Sequence, residues 1–137
     1  MKKAVIILGH GSRSAGADGA VRKIAAELGQ SGRYEITEYA FLQFMQPTLH
    51  EALERCVGRS AEKIIIVPFF LQPGTHVTKD IPTYIDQAKK QYPGVEIIVT
   101  DFVGSHPLMV TIALDLIGKS DCGMRNSECG MEKQQRS

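Results

Sequence analysis

No apolar run in this 137-residue chain approaches the about 18 residues that a membrane-spanning helix needs, so no membrane partner is expected. Charge of neither sign dominates. Sixteen Lys and Arg stand against 15 Asp and Glu, a balance with no general pull toward nucleic acid, so an anionic partner would have to be held by local charge. Cysteines number only three, an odd count in a chain whose Lys2-Lys3 leads into a strand-length run without a small-residue cleavage pattern. That argues against a disulfide framework, and the expectation is a cytoplasmic protein with free thiols. Familiar fingerprints are missing too. Gly9, Gly11 and Gly16 do not compose the dinucleotide-binding G-x-G-x-x-G, no P-loop lysine follows them, and there is neither a G-x-S-x-G elbow nor an RHG pattern. Phosphoryl or acyl transfer at the glycine loop therefore lacks a partner residue.

What is present is an ordinary globular composition, 43% hydrophobic and 23% charged, long enough for one domain that buries roughly two thirds of its unfolded surface. Four apolar runs have strand length: Ala4 to Leu8, Tyr34 to Phe41, Lys63 to Leu71 and Val95 to Phe102. The first and third are continuously apolar, as central strands covered on both faces would be, whereas Glu35, Thr37 and Tyr39 alternate with apolar neighbours. Pro68 lies late in the third run and should weaken pairing there. Helical periodicity fills the gaps over Ala15 to Leu28, Thr48 to Val57, Lys79 to Tyr92 and Pro107 to Ile117. The domain is expected over 1–118. The tail 119–137, with Cys122 and Cys129 six residues apart, has almost no apolar periodicity and reads as mobile, its thiols as surface groups rather than metal ligands.

Strands alternating with helices of this length predict an α/β fold, a single doubly wound domain with a mostly parallel four-stranded sheet in the flavodoxin-like order 2-1-3-4. In that order the crossovers leaving strands 1 and 3 go to opposite faces and open a crevice at their carboxyl ends. His10 follows strand 1, and the loop "QPGTH", Gln72 to His76, follows strand 3. A lone histidine in a glycine-rich turn is structural more often than catalytic, but two imidazoles in one crevice make a ligand pair for iron, cobalt, nickel or zinc, and leave the ion open coordination positions. The other two histidines carry less: His106 is expected to cap or wall, and His50 to lie exposed on its helix. Ser12 or Ser14 should cap the first helix. Lys79 and Asp80 should open the third, where Asp80 suits the helix dipole and Lys79 opposes it. Lys79 and Arg13 are thus candidates for an anionic group, with solvated surface the alternative for each. Cys56 falls on an apolar helix face and reads as core.

The stretches "LGHGSR", "AFLQFMQPTLHEAL", "IIIVPFFLQPGTHVTKDIP" and "GSHPLM", in this order and spacing, resemble the small sirohydrochlorin chelatases of the class II chelatase superfamily from Lys3 to about Ile117. The resemblance implies insertion of Co2+ or Fe2+, with Ni2+ a further option, into sirohydrochlorin or a similar tetrapyrrole, in cobalamin or siroheme biosynthesis and without an organic cofactor. His10 and His76 match the family's two active-site histidines, which hold the metal and accept pyrrole protons. Substrate contacts are implied at Gly11, Ser12, Arg13, Gln43, Met45, Phe70, Leu71, Gly74, Thr75 and Lys79, with Phe69 adding to an apolar wall. Many relatives carry a glutamate where this chain has Gln43, and an amide neither takes a proton nor offers a metal a full negative charge. A non-catalytic metal or tetrapyrrole carrier is the alternative. Larger relatives hold two such halves in one chain, so a homodimer is expected.

Overall fold

The computed structural model describes residues 1–14, 16, 18–72 and 74–121. Residues Met1–Gly104 form one compact unit and the chain from Ser105 another. In the first, β1 (Lys3–Gly9), α1 (Gly19–Gln30), β2 (Ile36–Phe41), α2 (Leu49–Gly58), β3 (Lys63–Pro68), α3 (Thr75–Gln91) and β4 (Glu96–Val99) alternate. The sheet runs β2-β1-β3-β4 and every pairing is parallel, which is the predicted order.

β1 is central and reads AVIIL because both of its faces are covered. Ala4, Ile6 and Leu8 pack with Leu49, Leu53 and Cys56 of α2 and Ile85 and Ala88 of α3. Val5 and Ile7 pack with Val21 and Ala25 of α1 and with Phe41. Each fully buried Ile or Leu contributes roughly 1.5–3 kcal/mol. Cys56 is core, as its helix face implies, and burial pushes its thiol up to about 12, which leaves it protonated and inert at neutral pH. At the amino ends of the strands the backbone N–H groups of Lys2 and Lys3 donate to the carboxylates of Glu62 and Glu35, at 2.9 and 3.0 Å.

Two helix starts differ from the sequence expectation. α1 begins at Gly19 rather than Ala15, with Asp18 as an N-cap that makes no side-chain cap bond. Ser12 does not cap it, because its hydroxyl accepts from the Ser14 N–H at 3.1 Å inside the loop, and glycines 16 and 19 weaken helix formation there. α3 begins at Thr75, four residues before the expected start. Val77 in that first turn is already buried, and Ile81, Ile85 and Ala88 continue the stripe into the core. Lys79 and Asp80 are therefore one turn inside the helix and do not open it. His76 belongs to the helix's first turn and not to a loop. Pro82 also lies within α3, at an exposed position. β3 stops at Pro68, where the sequence suggested that pairing would fail, and β4 is only four residues long.

In the second unit, α4 (Leu108–Asp121) starts on a cap. The Leu108 N–H donates to His106 Nδ1 at 3.1 Å, the capping role expected of that histidine. α4 is apolar on most of its circumference, and Leu108, Val110, Ile112, Leu114, Leu116 and Ile117 are each between 49% and 64% exposed. Cys122, Cys129 and the rest of the expected tail lie outside the described residues.

Candidate active site

The carboxyl ends of the three neighbouring strands are tied together by backbone bonds that continue past the sheet. The Phe69 N–H donates to the Leu8 carbonyl at 2.7 Å, and the Leu42 N–H donates to the Gly9 carbonyl at 3.1 Å. His10 therefore leaves β1 between residues 42–48 on one side and 69–72 on the other. The second loop leads to Gly74, the N-cap of α3, whose carbonyl accepts from the Thr78 N–H and hydroxyl, both at 3.0 Å. Thr75 and His76 follow as the first two residues of the helix. Topology thus places the backbone at His10, after β1, and at His76, at the start of α3, beyond the carboxyl ends of neighbouring strands.

His10 is exposed and held from two sides. Its Nδ1 lies 3.3 Å from the Gln43 amide nitrogen and 3.5 Å from the Gly11 carbonyl, and its ring meets Phe70 edge-on, with centroids 6.2 Å apart at 85°. A carbonyl only accepts, whereas the Gln43 amide presents a donor or, turned end for end, an acceptor. With Nδ1 bearing the proton, toward Gly11 and an amide oxygen, Nε2 keeps a free lone pair at the rim. A metal-binding histidine is normally held in this way by its other nitrogen. Among the described residues no group of three or more His, Cys, Asp or Glu side chains shares a point.

Gly11 has φ +96°, and a Cβ there would meet the Gln43 carbonyl oxygen at 1.9 Å. The second glycine of "GHG" therefore lets the 42–48 loop lie against His10. Gly104 is the counterpart for the other loop. Its N–H donates to the Phe70 carbonyl at 3.2 Å, and a Cβ would meet the Leu71 carbonyl oxygen at 1.9 Å.

The remaining expected residues divide. Gln43 and Phe70 touch His10. Arg13 stands in the loop before α1, not at the helix start, with its guanidinium carbon 4.4 Å from the centre of the Phe44 ring. Leu71 is 63% exposed, while Met45 and Phe69 turn inward and pack with the α1-side core. Lys79 is exposed one turn into α3. Phe44 was not legible as a site residue, since an aromatic beside Met45 looks like core, yet it is 56% exposed and has φ +67°. A cavity of about 240 Å3 between α2 and α3, walled by Leu49, Leu53, Tyr84 and Gln87 among others, includes none of the expected site residues.

The model of the CbiX family matches residues 4–120. The chain belongs to the CbiX family. Among its relatives, a sirohydrochlorin cobaltochelatase of Methanococcus aeolicus is 31% identical, and the match covers 82% of this chain and 96% of that protein. A chloroplastic sirohydrochlorin ferrochelatase of Arabidopsis thaliana is 30% identical over 82% of this chain, which spans only 50% of the plant protein. Among solved structures, the sirohydrochlorin chelatase SirB of Bacillus subtilis subspecies spizizenii in complex with cobalt superposes with a TM-score of 0.72 at 30% identity, covering 81% of this chain and 47% of SirB. The CbiX chain thus matches one relative along almost its full length and about half of two others.

Proposed function

We propose that this CbiX protein inserts a divalent metal, cobalt or iron, into sirohydrochlorin. The observation that carries the reading is the setting of His10, an exposed imidazole held through Nδ1 at the switch point of the sheet, in a chain whose relatives are named for this reaction. Insertion exchanges two pyrrole N–H protons for one M2+ ion, with no change of oxidation state, so the chemistry calls for no organic cofactor. His10 Nε2 holds the incoming ion, and His76, from the start of α3, supplies the second imidazole. Two such ligands leave positions open for transfer to the ring, and imidazole titrates near neutrality and so can carry away the released protons. Gly11, Ser12, Gly74 and Thr75 are further substrate-contact positions on this reading. Phe70 and Leu71 supply apolar surface to a flat macrocycle, and Arg13 and Lys79 supply charge to its carboxylates. Nickel is a further candidate ion. The product serves cobalamin or siroheme synthesis in the cytoplasm, and the protein works as a homodimer whose second copy stands in for the second half of the longer relatives.

A carrier that binds metal or tetrapyrrole without inserting is the second reading, favoured by the neutral Gln43 beside His10. Purified protein mixed with sirohydrochlorin and Co2+, Fe2+ or Ni2+ separates the two by the change in the absorption spectrum. The chelatase reading expects insertion faster than the protein-free control, and loss of the enhancement by at least about a hundredfold in His10→Ala and in His76→Ala, of the order lost with an acid–base group. A wild-type rate equal to the control with every metal makes the protein a carrier.

A further inference from the structure

Phe44 is an exposed aromatic at this rim whose role in the fold is small. The residue is 56% exposed and adds little to the core. Its backbone sits at φ +67°, a region that bulky L-residues avoid and that persists where the surroundings enforce it, most often at ligand sites. The enforcement is visible on both sides. Gln43, the preceding residue, lies close against the Gly11 backbone and is hydrogen-bonded to His10. The Phe41 N–H donates to the Pro47 carbonyl at 2.9 Å, which closes the loop behind it. Arg13 lies over the ring at 4.4 Å, and among the described residues this arginine makes no ion pair. A guanidinium stacked on an aromatic face keeps its N–H edge free to take a carboxylate.

An exposed aromatic beside a cation with no ion pair among the described residues, one residue from the side chain on His10, is complementary to a flat ring with acidic arms. Resting on the chelatase reading above, we infer that Phe44 is a binding residue for the macrocycle. The part of its ring not covered by Arg13 packs against the tetrapyrrole, while Arg13 takes one of the peripheral carboxylates. The left-handed backbone is what turns the ring out of the core to do this.

The inference separates binding from folding. Phe44→Gly removes the ring and relieves the backbone, and Phe44→Leu keeps a side chain of similar bulk without an aromatic face. Sirohydrochlorin titrated anaerobically into each protein, followed by absorbance, should bind about tenfold more weakly to both variants, the scale of a lost stacking contact. Phe44→Tyr should bind within about threefold of wild type, as a retained aromatic face implies. Phe44→Gly should melt no lower than wild type, and Co2+ binding without the macrocycle should be unchanged in both. Undiminished affinity in Phe44→Leu overturns the inference, even if Phe44→Gly fails to fold. So does failure of Phe44→Tyr to restore binding. Wild-type protein that takes up no sirohydrochlorin brings down the chelatase reading and this inference with it, whereas binding that is equal in wild type and variants removes Phe44 alone.

Discussion

A methyl group at position 11 would sit 1.9 Å from the Gln43 carbonyl oxygen, on a residue whose φ is already +96°. Gly16 shares the left-handed backbone, at φ +79°, but a Cβ there meets nothing within 4 Å. The pair isolates steric clash from backbone strain. Gly16→Ala should cost about 1 kcal/mol, the penalty of the left-handed region alone, whereas Gly11→Ala should cost about 3 kcal/mol or force the 42–48 loop away. In the second case Gln43 leaves His10, and insertion should fall at least about tenfold. Urea midpoints and insertion rates of the two variants, measured side by side, check this; equal losses in both would mean that the contact with Gln43 is unimportant. At this scale the sequence brought forward His10 through its glycine-flanked turn and Gln43 through the family resemblance, and the two side chains do meet, 3.3 Å apart. It was silent on Phe44 and Gly104, whose roles come from a dihedral angle and from a backbone brought close by a remote segment.

Among the elements, α2 has the most complete start. The Thr48 hydroxyl accepts from the Glu51 N–H at 3.1 Å, and the Glu51 carboxylate accepts from the Thr48 N–H at 2.8 Å, a full capping box. Thr48 also bridges to Phe41, so one cap holds both the helix and the far end of the loop that carries Gln43 and Phe44. Thr48→Ala should lower stability by about 1 kcal/mol, a fall of about 4 °C in Tm, and weaken sirohydrochlorin binding more than Co2+ binding. Thermal melts and the two titrations test it, and unequal damage is the diagnostic result. Strands and their order were readable because a central parallel strand needs an unbroken apolar run. The starts of α1 and α3 were not. Serines 12 and 14 look like caps until Ser12 is seen bonding within its own loop, and "QPGTH" reads as a loop, which disguises a helix that begins at Thr75.

For the molecule as a whole, the unusual surface is α4. A helix apolar around most of its circumference is normally covered on more than one side, and six of its large side chains are 49% to 64% exposed in a single copy. The homodimer proposed above would cover this face with a second copy. Leu114→Glu, mid-helix and 54% exposed, should convert a dimer into a monomer in light scattering behind a sizing column, with the far-ultraviolet spectrum retained. A wild-type monomer, or a variant that stays dimeric, removes α4 from the interface. The sheet itself has a further consequence. Because all strands run the same way, the residues proposed to react follow the carboxyl ends of the strands, while the amino ends are fastened by the carboxylates of Glu35 and Glu62 on the backbone at Lys3 and Lys2. The protein is therefore polarised like a plug and its socket. Immobilising it on a support through the fastened rim would leave the reactive mouth facing the solution, and the opposite orientation would blind it.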